Sequence, residues 1–157
     1  MNHLIGNDCC KVDINGRFKL PAKLMEQLDL ADNRSFAIRK KLDDHCLELF
    51  SFQGFQEEMG WILKHVNRYG TDDDEALYDD LTDVDIIELD KSNRLPLPKR
   101  FSEEINIVSD IVIRGAGNCF EIRSKQDYEN KRIERKKREK DLKALRASLS
   151  KQIIDNN

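Results

Sequence analysis

Two short segments of the sequence combine an acid and an arginine at the same spacing. Asp13 precedes Arg17 by four residues, and Asp90 precedes Arg94 by the same number. The intervening Ile-Asn-Gly and Lys-Ser-Asn are turn-forming, so each pair is predicted at the tip of a β-hairpin. One interpretation is a structural ion pair that pins the hairpin. The other is an arginine that offers its planar fork to a guanine, with the aspartate holding the guanidinium by paired hydrogen bonds.

These segments belong to a longer internal repeat, which indicates a duplication of the whole unit. Three blocks recur in the same order at offsets of 77, 75 and 73 residues. The aligned blocks are Asp13 to Pro21 with Asp90 to Pro98, Ala37 to Arg39 with Val112 to Arg114, and Cys46 to Leu49 with Cys119 to Ile122.

Each half is predicted to contain two short strands, a helix and two more strands. Pro21 and Pro98 are expected at the first helical position, where proline loses no hydrogen bond. Pro96 removes a ladder donor, so its strand is predicted at an edge. A longer helix follows each half, the first from Ser51 to about Val66, where apolar residues recur every three or four positions.

Charge divides the 157 residues unevenly. The formal net charge is -3, but the segment from Lys125 onward carries +5 and leaves -8 for the rest. Residues Thr71 to Asp90 hold ten acids and no base, and are interpreted as the linker between the halves. The predicted domains are residues 1–70, a first repeat; 71–130, the acidic linker with a second repeat; and 131–157, a basic helical extension.

Two features of the extension leave alternatives open. The basic cluster from Arg132 to Lys140 is either a solvated helix face, with Glu134 and Glu139 interleaved, or a nucleic-acid contact. A short apolar seam further on is either a contact with a neighbour or part of a frayed tail. The seam consists of Leu142, Leu145, Leu149 and Ile153.

Several classes of function lack support in the sequence. The four cysteines show no CxxC spacing, the three histidines no metal-ligand spacing, and no catalytic constellation stands out, so we expect no metal, no cofactor and no enzyme. No apolar run is long enough to span a bilayer, and the first eleven residues do not resemble a secretion signal. We therefore expect a cytoplasmic protein with no membrane contact and no small-molecule substrate.

The doubled motif, each copy followed by Leu-Pro and a later Cys-(Leu/Phe)-Glu-(Leu/Ile) strand, resembles the MraZ family of bacterial regulators over about residues 5 to 130. The resemblance implies an α+β fold. It consists of two tandem AbrB-like swapped-hairpin repeats, forming a pseudo-symmetric small β-barrel with helices, to which this chain adds a C-terminal helix.

The resemblance also implies a function. Members of the family bind short direct repeats in the promoter of their own division and cell-wall operon, generally repress it, and assemble into rings. The implied partners are therefore double-stranded DNA and further copies of the same chain, at the bacterial nucleoid. Asp13, Arg17, Asp90 and Arg94 map onto the family's Asp-x-x-x-Arg motif, whose arginines face DNA.

Further residues around the motifs complete the candidate DNA-binding set. Bases that flank the arginines are placed to meet phosphates, which set affinity and salt dependence but not sequence preference. We expect the first half to be the stronger reader, because the second has Asn93 in place of glycine and Pro96 in its strand. The additional candidates are Asn15, Lys11, Lys19, Lys23, Lys91, Lys99 and Arg100.

The excess of acidic over basic residues supports an alternative function. A protein-interaction or assembly module could keep the oligomer, lose most DNA binding and attract a basic partner to the acidic segment. Salt dependence distinguishes the two hypotheses, because DNA binding weakens steeply as salt rises.

Overall fold

The computed structural model describes residues 3–156 and has an α+β architecture, as predicted. The described strands are β1 (Asn7–Lys11), β2 (Arg17–Lys19), β3 (Ser35–Lys40), β4 (Leu47–Ser51), β5 (Asp85–Glu88), β6 (Arg94–Pro96), β7 (Asp110–Gly115) and β8 (Phe120–Ser124). The described helices are α1 (Ala22–Met25), α2 (Phe52–His65), α3 (Asp72–Thr82), α4 (Lys99–Glu104), α5 (Lys125–Lys137) and α6 (Glu139–Asp155). The predicted C-terminal helix is confirmed.

The strands exchange between the two halves. Six of them form an antiparallel sheet in the order β1-β7-β8-β4-β3-β5, and β2 pairs with β6 in a separate two-stranded ribbon. The sequence repeat makes β5, β6, β7 and β8 the counterparts of β1, β2, β3 and β4. The first strand of each half therefore pairs with the other half, which is the exchange expected of swapped hairpins.

The register of two strand pairs reveals a pseudo-two-fold axis. Glu48 of β4 lies opposite Glu121 of β8, and Phe18 of β2 lies opposite Leu95 of β6. Each pair consists of residues at equivalent repeat positions. The axis of the rotation that exchanges the two halves therefore passes through both residue pairs.

One hydrophobic core joins the two halves and anchors the ribbon. Phe18 and Leu95 are fully buried in it, together with apolar side chains of β3, β4, β7 and β8. Burying a side chain of this size contributes about 1.5–3 kcal/mol. The ribbon is thus held by its inward residues, while alternation along each strand turns the neighbouring residues outward.

The first helix of each half begins one residue later than predicted. Pro21 and Pro98 occupy the N-cap, with ψ angles of 136° and 132°, and helical geometry starts at Ala22 and Lys99. The reason is that these ψ angles are extended rather than helical. Pro96 lies in the two-stranded ribbon, which confirms the edge-strand prediction.

The acidic segment is more ordered than a linker. It forms α3, whose N-terminus is fixed by a capping box between Thr71 and Asp74, and then β5, which pairs with β3. The capping box satisfies two backbone amides that the helix leaves free. The interpretation of this segment as a linker was therefore wrong for its last part, which is the first strand of the second half.

The chain divides into two compact units, one ending at Lys125 and one beginning at Gln126. The second unit contains α6 and all of α5 except its first residue, Lys125, with a break between the helices at Arg138. The predicted domain bounds at 70/71 and 130/131 stay a prediction, and residues 1, 2 and 157 of those domains lie outside the described residues. Among residues 3–156, no helix is both long and apolar enough to cross a membrane.

Candidate nucleic-acid interface

The first Asp-x-x-x-Arg motif is organised around one carboxylate oxygen. Asp13 Oδ1 accepts hydrogen bonds from the backbone amides of Asn15, at 2.9 Å, and Arg17, at 3.0 Å. The chain reverses at Gly16, whose φ of 75° is costly for a residue with a side chain. The spacing of four residues thus lets the aspartate cap the turn that carries the arginine.

The second motif repeats this geometry. Asp90 Oδ1 accepts from the amides of Ser92, at 2.8 Å, and Arg94, at 2.9 Å. Asn93 takes the left-handed position with a φ of 62°, a conformation that asparagine tolerates better than most residues. Asparagine in place of glycine therefore leaves the shape of the turn intact.

The ribbon of β2 and β6 brings both turns to one place. Lys19 lies opposite Arg94, and Arg17 lies opposite Pro96. Beyond the strand pairs, the Leu20 amide donates to the Asn93 carbonyl at 3.1 Å, and the Leu97 amide to the Gly16 carbonyl at 2.7 Å. Each strand therefore ends against the turn of the other half, and the two motifs form a single site, which we call the composite site.

The guanidiniums sit between the two aspartates without hydrogen bonding to them. Arg17 Nε lies 3.7 Å from Asp13 Oδ2 and Arg17 Nη1 lies 3.6 Å from Asp90 Oδ2, while Arg94 Nη1 is 4.0 Å from Asp13 Oδ2. The expected paired hydrogen bonds are absent because Oδ1 of each aspartate is engaged by the turn. Arg17 and Arg94 are 37% and 43% exposed, so their ion pairs are weak and both side chains are partly accessible. Arg17 Nε is itself buried and has no hydrogen-bond partner among the described residues.

Both aspartates are held in the ionised form. The amide of Arg17 is the largest cause that lowers the pKa of Asp13, and the amide of Arg94 does the same for Asp90; burial opposes these shifts. The remaining turn amides and the nearby arginines lower each pKa further. The composite site therefore carries two positive and two negative charges at neutral pH.

The flanking candidates differ in how available they are. Asn15, Lys19, Lys23 and Lys91 are exposed. Lys11 Nζ lies 4.0 Å from Asp110, and Lys99 Nζ lies 3.7 Å from Glu103.

Arg100 is the least available of these candidates. It donates four hydrogen bonds of 2.9–3.3 Å to Asp83 and Asp85, and its guanidinium carbon lies 4.1 Å from the ring centre of Phe101. These hydrogen bonds raise its pKa.

Two residues of the site, Ile14 and Arg34, were not found from the sequence. Ile14 is fully exposed at the tip of the first turn, where the second turn has the sequence candidate Lys91. Arg34 donates through Nη2 to the Asp90 carbonyl and to Asn93 Oδ1, both at 2.9 Å. An apolar residue inside a turn was a readable signal for Ile14. Nothing local could have indicated Arg34, which lies more than fifty residues before its partners.

Residues 3–156 contain no cluster of three or more His, Cys, Asp and Glu side chains suited to a metal ion. The four cysteines are free thiols, and burial raises the pKa of Cys46 to about 12. The composite site presents two partly exposed guanidiniums on a two-stranded ribbon, with exposed lysines around them.

Comparison with known proteins gives concordant similarities. The family model described as "MraZ protein, putative antitoxin-like" matches residues 82–151. Proteins named transcriptional regulator MraZ are similar over most of the chain. That of Flavobacterium psychrophilum is 33% identical over 129 residues, 82% of each chain. That of Christiangramia forsetii is 32% identical over 132 residues, 82% of this chain and 83% of its own, and that of Bacteroides fragilis is 29% identical over 129 residues, 82% of each.

Proposed function

This chain belongs to the MraZ family of transcriptional regulators, and we propose that it regulates transcription by reading DNA sequence with the composite site. The observation that carries the proposal is the meeting of both Asp-x-x-x-Arg motifs on one exposed ribbon. A two-stranded ribbon fits the major groove, where an arginine fork matches O6 and N7 of guanine. Such a contact is worth about 1–3 kcal/mol of discrimination between bases.

The residues around the arginines are proposed to make the other contacts with DNA. The exposed Lys19, Lys23 and Lys91 are suited to bind phosphates, joined by Lys11 and Lys99 once their long ion pairs open. Asn15 lies at the tip of the first turn, within reach of a base or a phosphate. Arg100 is the weakest candidate, because it would first have to leave Asp83 and Asp85.

Ile14 extends the proposed reading of sequence to a second kind of contact. A fully exposed isoleucine beside Arg17 can pack on the C5-methyl group of a thymine, which only the major groove displays. The second turn carries Lys91 there, which suits a phosphate instead. The two halves would therefore read different bases despite their shared backbone geometry.

We further propose that the protein acts as a ring homo-oligomer on short direct repeats in the promoter of its own division and cell-wall operon, and represses that operon. One composite site offers few base contacts. Several sites at a fixed interval raise affinity, because each contact after the first is made at high effective concentration. Repression follows if the assembly covers promoter elements, and its place of action would be the nucleoid.

The test is fluorescence anisotropy with DNA from upstream of the gene, with scrambled DNA as the control. The Arg17→Ala/Arg94→Ala double variant removes both forks. Arg68→Ala/Arg146→Ala is its matched control, since it removes two exposed arginines elsewhere on the chain. We expect selective binding by the wild type and the control variant, and its loss in the double variant with the oligomeric state unchanged. Equal binding by all three proteins would contradict the role of the composite site.

One observation favours a second function. Helix α3 exposes carboxylates that have no ion pair among the described residues, at Asp72, Asp73, Glu75, Asp79 and Asp80. A protein-interaction module would use this acidic face to bind a basic partner, and its assembled wild-type form would show no selective DNA binding in the same experiment.

A further inference from the structure

Helix α5 carries four bases on one side, which we call the basic stripe: Lys125, Arg132, Arg135 and Lys136. At about 100° per residue, Lys125, Arg132 and Lys136 fall within about 40° of one another, and Arg135 lies about 80° from Lys125. The acids Asp127 and Glu134 lie on the opposite side of the helix, while Glu129 lies about 20° from Lys136. The remaining bases of α5, Lys131 and Lys137, lie about 120° to either side of Lys125, so the bases are concentrated on the side of the stripe.

The basic stripe is unneutralised. Its four side chains are exposed, and among the described residues none has a carboxylate within 4.0 Å. The buried or clamped arginines of the first unit differ in this respect. Arg39 and Arg100 each contact two carboxylates. Like charges held close on one helix face repel one another, and a bound anion would relieve that repulsion.

The composition of α5 indicates what kind of anion would bind. Interfaces between proteins have an apolar centre from which charged residues are depleted. The large uncharged side chains of α5 are Tyr128, which is partly buried and lies between Arg132 and Arg135, and Ile133, which is 52% exposed and lies outside the stripe. A row of bases with one tyrosine and no aliphatic side chain suits the phosphates of a nucleic-acid backbone, to which a tyrosine hydroxyl also donates, better than an acidic protein surface.

We propose that the basic stripe is a second DNA-contact surface, which binds backbone phosphates and reads no bases; this rests on the proposed function. Each phosphate that a base neutralises steepens the fall of log affinity with log salt by about 0.9. Four contacts therefore account for a slope of roughly 3 to 4. Because phosphates are the same in every sequence, the stripe strengthens binding to target and scrambled DNA equally.

The experiment compares two variants with the same loss of charge. The stripe variant is Lys125→Gln/Arg132→Gln/Arg135→Gln/Lys136→Gln. The control variant is Lys140→Gln/Lys143→Gln/Arg146→Gln/Lys151→Gln, which removes four bases from the following helix, α6. Glutamine keeps helix propensity near that of lysine and arginine. The salt slope is measured on target and scrambled DNA, with circular dichroism and mass photometry of each protein.

We expect the stripe variant to lose a slope of roughly 3 to 4 on both DNAs, and the control variant to lose less than about 1. Equal losses in the two variants would mean that only bulk charge matters and would overturn the proposal, as would an unchanged slope. Dissociation of the oligomer in the stripe variant would also overturn it and assign the stripe to an acidic face of another copy. Scrambled DNA tests the stripe even if wild-type binding is unselective, an outcome that contradicts the proposed function alone.

Discussion

The aspartate of each motif has two separate tasks at its two oxygens. In Asp13 and Asp90, Oδ1 accepts two turn amides, while Oδ2 faces the arginines at 3.6–4.0 Å. The turn itself therefore requires the four-residue spacing, because Oδ1 of the aspartate accepts a hydrogen bond from the amide of the fourth residue after it. Amide hydrogen bonds to the aspartate, rather than an ion pair with the arginine, hold each turn, and the same turn positions the arginine that we propose binds DNA.

The first prediction separates these tasks at Asp13. Asparagine keeps an oxygen that can accept both amides, whereas alanine leaves them without a partner. We expect Asp13→Ala to lower the melting temperature by several degrees and Asp13→Asn to lower it less, because asparagine keeps the acceptor but loses the charge, as followed by circular dichroism. Equal melting temperatures of the two variants would show that the carboxylate does not hold the turn.

The pH dependence of stability supplies a second prediction. Both aspartates have a pKa below the ordinary 3.8 when folded. Just below 3.8 the unfolded chain therefore binds more protons, and stability rises with pH in that interval. Their contribution is complete well above 3.8 and disappears as the pH falls through the folded pKa.

Asp13→Asn/Asp90→Asn removes both titrations. In urea unfolding between about pH 3 and pH 6, we expect the wild type to lose more stability on acidification than the variant, and the two to have equal slopes at the upper end. Parallel curves over the whole range would contradict the assigned shifts.

Ile14 provides a third prediction at this scale. The thymines of the target DNA are replaced by uracil one at a time, which removes one C5-methyl group and leaves base pairing intact. We expect one such substitution to weaken wild-type binding several-fold in anisotropy, and the same substitution to have no effect on Ile14→Ala. Lys91→Ala is the matched variant of the second turn, and it should remain sensitive to that substitution. If no uracil position distinguishes the wild type from Ile14→Ala, Ile14 contacts no thymine.

At the scale of elements, two arginines at equivalent repeat positions have different environments. Arg39 is 5% exposed and bonds Glu48 at 3.0 Å, Glu58 at 2.9 Å and the Leu81 carbonyl at 2.8 Å, and so connects β3 to β4, α2 and α3. Its counterpart Arg114 is 46% exposed and contacts only Glu121 among the described carboxylates. The arginine is therefore buried in the first half and half-exposed in the second, where its buried partner Glu121 is also bound by Lys41.

This difference makes the fourth prediction. Arg39→Met leaves two largely buried carboxylates unpaired and should destabilise the protein by about 3–5 kcal/mol. Arg114→Met leaves the buried Glu121 its 2.7 Å contact with Lys41 and should therefore cost clearly less. Urea unfolding measures both. Similar losses would mean that burial does not set the strength of these pairs.

The elements that the sequence failed to predict share a cause. The repeat and the turn residues located both hairpins and the helices after Pro21 and Pro98, because these signals are local. The acid run of residues 71–90 indicated a linker, whereas the structure has α3 there, begun by a capping box of Thr71 and Asp74, followed by β5. The partner of β5 is β3, far away in sequence, and no pattern within β5 names it.

For the whole molecule, strand exchange converts two sequence motifs into one site. The duplication was readable from three aligned blocks, but the repeat alone does not decide whether each half folds by itself. The pairing of β2 with β6, through Phe18 and Leu95, places Arg17 and Arg94 beside each other's aspartates. The prediction that the first half reads DNA more strongly is untested. Because the two turns share one backbone geometry, any difference in DNA binding between the halves must come from side chains such as Ile14 and Lys91.

The last prediction concerns how many such sites act together. If copies in a ring present composite sites at a fixed interval, two direct repeats bind strongly only when both face the same side of the duplex. Inserting about five base pairs between the repeats turns one to the far side, and inserting about ten returns it. We expect the first insertion to reduce affinity towards that of a single repeat and the second to restore part of it, as measured by anisotropy. Affinity that is independent of the phase between repeats would mean that each composite site binds alone, and the assembly would then have to serve something other than DNA affinity.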